Sequence, residues 1–131
     1  MKKFVIIVSL FFFISSCNNE ENKQQENSLV GTWKLIETYG GDGGSSSKWT
    51  KVNDGYTFHF DSNNSIISNK FSCNGIYHIN SNDININFNC TNSQFNQTYN
   101  YSFENGNLIL KPSLLYCDEG CAEKFQKITE E

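Results

Sequence analysis

The chain has 131 residues, with ten lysines, no arginine, fourteen acidic residues and a net charge of −4. Without arginine there is no side chain for bidentate contacts to phosphate or guanine, and no basic face replaces it, which argues against nucleic-acid binding. The length suits a single domain once the N-terminal segment is set aside.

That segment opens with Lys2 and Lys3 and continues as the apolar run Phe4 to Ile14, broken only by Ser9. Eleven helical residues rise roughly 16 Å, about half the hydrocarbon thickness of a bilayer, so a secretory signal fits better than a spanning helix. Ile14-Ser15-Ser16-Cys17 resembles a bacterial lipobox, in which the cysteine is lipidated and becomes the new N-terminus. This divides the chain into a signal peptide over residues 1–16, a lipidated Cys17 with a tether to residue 28, and a folded domain over residues 29–131. Two acyl chains hold a protein at a membrane where one binds only marginally. Asn18 to Ser28 is polar, acidic and free of aromatic or branched residues, a composition that stays disordered. Glu20-Glu21, just behind the anchor, resembles the export signal that carries lipoproteins of the Bacteroidota to the cell surface; solvated tether charge explains the pair equally well. Removing Lys2 and Lys3 leaves eight lysines against fourteen acids, a net charge of −6.

From Leu29 onward the pattern is alternation rather than a helical stripe. Gly31 to Tyr39 places Trp33, Leu35 and Tyr39 on one face of a first strand. A Gly- and Ser-rich connection from Gly40 to about Asn53 follows, carrying Trp49. It lacks the ending of a phosphate loop and precedes no helix, so it reads as a long connection and a candidate lid. Tyr56, Phe58 and Phe60 alternate with polar residues, and Asp61 to Ser65 turns the chain into a short strand over Ile66 to Phe71. Ile76 to Ile79 and Ile84 to Cys90 flank a turn at Asn80 to Asp83. Tyr99, Tyr101 and Phe103 alternate again, and Asn105-Gly106-Asn107 turns into Leu108 to Lys111, which Pro112 ends. A last strand runs from about Cys121 to Ile128. The expectation is all-β: a small antiparallel up-and-down barrel of about eight strands.

Gly31-Thr32-Trp33 resembles the Gly-x-Trp signature of lipocalins. Together with "YTFHF", "CNGIY" and "CDEGCAEKF" behind a lipobox, it is similar to the lipocalin-like lipoproteins of the Bacteroidota. The resemblance implies that Trp33 plugs the closed end of the barrel and is capped by a basic residue of the last strand. The usual arginine is missing, and Lys124 or Lys127 is the available substitute through its methylene stem. It also implies that the Gly40 to Asn53 connection overhangs the open end. "SCNGIY" and Cys90-Thr91 resemble, more faintly, a META-type domain, another β-fold.

Cys73, Cys90, Cys117 and Cys121 form an even set in an oxidising compartment, with three pairings available. A four-residue hairpin loop at Asn80 to Asp83 sets Ile79 opposite Ile84, and the same register sets Cys73 opposite Cys90, within disulfide reach. A bulge at Asn74-Gly75 would break that register. Cys117 and Cys121 then close a small loop with Gly120 at its bend. A metal site of Cys117, Cys121 and His59 or His78 lacks the paired short spacings of zinc sites, and Cys-x₃-Cys is not a redox motif, so no metal is expected.

No Gly-x-Ser-x-Gly elbow is present, Asp118-Glu119 and Glu130-Glu131 fall in a turn and a tail, and His59 and His78 face away from the apolar sides of their strands. Neither an enzymatic reaction nor a cofactor is expected. What remains is aromatic. Tyr56, Phe58, Phe60, Phe88, Tyr99, Tyr101 and Phe103 line one continuous surface. An eight-stranded barrel either fills itself with such side chains or holds one small ligand. Both outcomes stand open at this stage: a monomeric, outer-membrane-anchored barrel binding a small apolar or amphipathic molecule, or a filled barrel acting through its loops as an adhesion, inhibitor or complex-subunit module.

Overall fold

The computed structural model describes residues 28–41, 44, 46–114 and 120–129. The signal segment, Cys17, the tether up to residue 27, Cys117, Asp118-Glu119 and Glu130-Glu131 lie outside the described residues.

Nine strands form one antiparallel sheet: β1 (Gly31–Gly40), β2 (Lys48–Lys51), β3 (Thr57–Phe60), β4 (Ser65–Ser68), β5 (Gly75–Asn80), β6 (Asp83–Cys90), β7 (Ser93–Glu104), β8 (Asn107–Pro112) and β9 (Ala122–Ile128). Each of β3 to β9 bonds its sequence neighbour, and β9 returns to pair with β1. Eight strands thus close a barrel, and β2 is an extra strand. Closure leaves no edge among the eight, which is how a short all-β chain protects its backbone groups.

β2 was not expected. It lies inside the Gly- and Ser-rich connection and pairs with the far half of β1, from Glu37↔Lys51 to Gly40↔Lys48. β3 takes the near half of the same edge, from Gly31↔Phe60 to Lys34↔Thr57. Trp49 therefore sits in a strand directly across from Tyr39, with ring centroids 5.3 Å apart, rather than in a lid.

A second departure lies in β1. Its register with β9 slips between Leu35 and Glu37, leaving Ile36 as an extra residue. Before the slip, Trp33 faces Lys127 and Leu35 faces Phe125; after it, Glu37 faces Lys124 and Tyr39 faces Ala122. Phe125 is fully buried, so its neighbour Lys124 points the other way along the strand. The bulge thus takes Glu37 and Tyr39 off the face that holds Trp33 and Leu35. Glu37 forms an ion pair with Lys124, whose ammonium lies 4.1 Å from the centre of the Trp49 ring.

The interior follows from period-two alternation. Phe58 and Phe60, Ile84, Ile86 and Phe88, Leu108 and Leu110, and Phe125 are each 0–1% exposed and belong to one cluster with Trp33. Fully burying one such side chain contributes about 1.5–3 kcal/mol.

Candidate functional site

The turns at residues 61–64, 81–82 and 105–106 gather at one end of the barrel with the start of β1, while the connections at 69–74 and 91–92 and the start of β9 lie at the other. The two ends differ in chemistry.

At the β1 end, Trp33 is completely buried and donates its indole N–H to the Leu29 carbonyl at 2.7 Å. Lys127 lies directly opposite in the ladder, with its ammonium 5.2 Å from the Trp33 ring centre and 3.0 Å from the Ser28 carbonyl it donates to. Of the two lysines available to replace the missing arginine, Lys127 is the one that caps Trp33. Gly31 adopts φ 127°, a conformation essentially restricted to glycine, and a Cβ there would stand 2.8 Å from the Lys127 side chain. The pair of Gly31 and Trp33 is therefore explained as a structural plug: the glycine leaves room for the lysine that covers the tryptophan. Tyr77 closes the same end, donating its hydroxyl to the Asp61 carbonyl at 2.6 Å.

The barrel centre holds the aromatic residues singled out from the sequence. Phe58 packs against Phe60, Phe88 and Phe125, with ring centroids 5.8, 6.4 and 5.5 Å apart. Tyr101 and Phe103 are half-buried and meet at 6.1 Å, Phe103 reaching Trp33 at 5.8 Å. Rings that the alternation assigned to a ligand surface thus pack against one another.

Tyr56 and Tyr99 belong to the other end, together with residues the alternation did not single out. The Tyr56 hydroxyl donates to a Glu123 carboxylate oxygen at 2.9 Å. Burial, reinforced by the Glu123 charge, pushes the Tyr56 hydroxyl well above the ordinary tyrosine range, and the same two causes act on Tyr99. Both therefore remain neutral hydrogen-bond donors. Burial also pushes the Glu123 carboxyl up, opposed by the Tyr56 hydrogen bond and the Lys70 charge. Over this pair lies Lys70, from the β4–β5 connection. Its ammonium is 4.6 Å from the Tyr56 ring centre and 5.9 Å from those of Phe71 and Phe95. Phe71 stacks on Phe88 at 4.1 Å and meets Phe95 at 5.2 Å.

The disulfide between Cys73 and Cys90 pins this region, with Cα atoms 5.5 Å apart. The β5–β6 register runs as the hairpin implied, with Ile79↔Ile84 and Ile76↔Asn87. Gly75 keeps it intact, since a Cβ there would meet the Asn87 carbonyl at 2.5 Å and the Phe88 ring at 2.8 Å. Cys121 is also disulfide-bonded, and its partner lies outside the described residues.

Lys70 and Phe71 were hidden because β4 ends at Ser68, earlier than its apolar run suggests. Glu123 carried a signal: it alternates with Phe125 and Lys127, both of which reach the barrel's inner side, so an acid stood in an apolar register. The histidines face outward as expected. His59 shares a 2.7 Å hydrogen bond with Thr32, and His78 is exposed. Beside His59 an open groove of about 470 Å³ runs past Thr57, Ile67 and Asn69. Among the described residues no cluster of His, Cys, Asp and Glu is arranged to hold a metal ion, and no buried side-chain nitrogen or oxygen lacks a hydrogen-bond partner.

No family model, curated protein or solved structure matches the chain.

Proposed function

We propose that this is a lipocalin-like lipoprotein, anchored to the outer membrane through Cys17, that recognises a small amphipathic molecule at the Lys70 end of its barrel. The packed interior serves as the scaffold. The observation that carries the reading is the contrast along the barrel axis. Phe58, Phe60, Phe88 and Phe125 are 0–1% exposed, whereas Tyr56, Lys70, Phe71 and Phe95 at one end are only partly covered, with the half-buried Glu123 carboxylate against the Tyr56 hydroxyl. A few convergent polar groups set among aromatic faces are the usual composition of a small-molecule site.

Native mass spectrometry of the full chain, with disulfides intact and after exposure to a lipid extract of the producing cells, tests this. The expected result is a discrete bound mass that survives Tyr101→Ala and disappears with Phe95→Ala. A mass lost with Tyr101→Ala and retained with Phe95→Ala would place the ligand in the interior instead.

A second reading, a protein-interaction module of the envelope, draws on the outer surface. Ile67 and Ile76, on adjacent strands near the His59 groove, are 48% and 50% exposed. Under that reading the extract yields no bound small molecule, and Ile67→Lys abolishes capture of a protein partner.

A further inference from the structure

Lys70 is an exposed residue, yet its ammonium does not simply point into water. Three ring centres contributed by three separate parts of the chain lie within 6 Å of it: Tyr56 ahead of β3, Phe71 in the β4–β5 connection and Phe95 in β7. Each distance falls inside the range over which a cation is attracted to a ring face. Ring faces supply its local contacts, and the Glu123 carboxylate adds a Coulombic attraction. The Tyr56 hydroxyl donates to the Glu123 carboxylate, which fixes the orientation of the ring nearest the ammonium.

The cage is also built to keep its shape. Phe71 is stacked on the fully buried Phe88, Tyr56 meets Phe58 and Phe125 edge-on at 5.1 and 5.7 Å, and Cys73 is tied to Cys90 two residues beyond Phe71. The rings are thus anchored in the core. The lysine reaches the cage through a flexible stem, from an exposed connection. A rigid receptor with a removable occupant is the arrangement expected when the occupant stands in for something else.

We propose that Tyr56, Phe71 and Phe95 form a cation-binding aromatic cage, occupied here by the chain's own Lys70, and that its ligand is an ammonium-bearing molecule whose head group displaces the lysine. This deepens the reading above by naming the ligand's chemical class, and it rests on recognition at this end of the barrel. A quaternary ammonium suits the cage better than a primary amine, because it presents a larger apolar cation and has no N–H groups whose hydration must be replaced. The apolar remainder of such a ligand would lie along Phe71 and Phe95, outside the packed centre.

The test is a titration of the full chain with choline, and with its uncharged carbon isostere 3,3-dimethylbutan-1-ol, followed by the line width of the ligand's methyl resonance. The expected result is weak choline binding to the native chain, about tenfold tighter binding to Lys70→Ala, and loss of that binding in Lys70→Ala/Phe95→Ala. The isostere should bind neither form measurably. Hydrogen exchange of β6 and β8 in each variant shows whether the barrel is intact, and Lys70→Ala/Phe95→Leu replaces the second variant if it is not. Equal binding of choline and its isostere would overturn the cage, as would failure of Lys70→Ala to tighten choline binding. If choline fails while the lipid-extract mass still depends on Phe95, the cage falls and recognition at this end stands. If neither depends on Phe95, both fall.

Discussion

Lys127 lies directly across the β1–β9 ladder from Trp33 and covers its ring, with the ammonium 5.2 Å from the ring centre. This contact helps join the first strand of the barrel to the last. Removing it should loosen closure: Lys127→Ala is expected to cost about 1 kcal/mol in urea unfolding, and Lys127→Met, which keeps the apolar stem, less than half of that. Gly31→Ala should cost about 1–3 kcal/mol, because it combines an unfavourable φ with a contact against the same lysine. Equal losses in the alanine and methionine variants would mean that the stem contributes nothing.

The disulfide gives a second expectation. Cys73 and Cys90 are 17 residues apart, and cross-linking a loop of that size removes about 3 kcal/mol of chain entropy from the unfolded state. Cys73→Ser/Cys90→Ser should lower stability by about that amount. In hydrogen exchange it should expose residues 69–74 before β8. Uniform loss of protection across the barrel would mean that the bridge does not act locally on the Lys70 connection.

Glu123 predicts a pH dependence. Burial raises its carboxyl above the ordinary range, so the folded chain retains the proton at pH values where the unfolded chain has released it. Its contribution is favourable below the unfolded carboxylate value and is lost as pH rises through the raised folded one. Glu123→Gln keeps an acceptor for the Tyr56 hydroxyl and cannot ionise. Its melting temperature should match the native chain near about pH 4 and exceed it near about pH 8, the gap opening with pH. A constant gap across that range would show that ionisation of Glu123 is not what destabilises the native chain.

The packed centre predicts ordinary core energetics. Phe58→Ala should cost about 3–5 kcal/mol, the loss typical of a large ring removed from a filled interior. A loss below about 1 kcal/mol would mean that the surrounding rings do not form a close-packed core.

Much of this architecture was legible because strand alternation is a direct readout of facing. Ile84, Ile86 and Phe88 alternate inward as their spacing implies, and the turn between Asn80 and Asp83 sets the register that aligns Cys73 with Cys90. β2 was hidden because Lys48 and Lys51 give it no apolar face and a Gly- and Ser-rich sequence precedes it; it forms by borrowing the free half of the β1 edge. The bulge at Ile36 has no compositional mark, yet it decides that Tyr39 joins Trp49 rather than Trp33. The Lys70 cage was illegible for a different reason. Its three rings are distant in sequence, and only closure of the barrel brings Tyr56, Phe71 and Phe95 around one ammonium.

The central claim, a solid barrel that recognises its ligand at the Lys70 end, is tested most directly by amide hydrogen exchange of the full chain with and without the lipid extract of the producing cells. The account predicts added protection confined to residues 69–74 and 93–97 and to the segment around Tyr56, with Leu108 to Leu110 unchanged. Protection centred on Phe60, Ile66 and Leu108, with none at the Lys70 end, would contradict it.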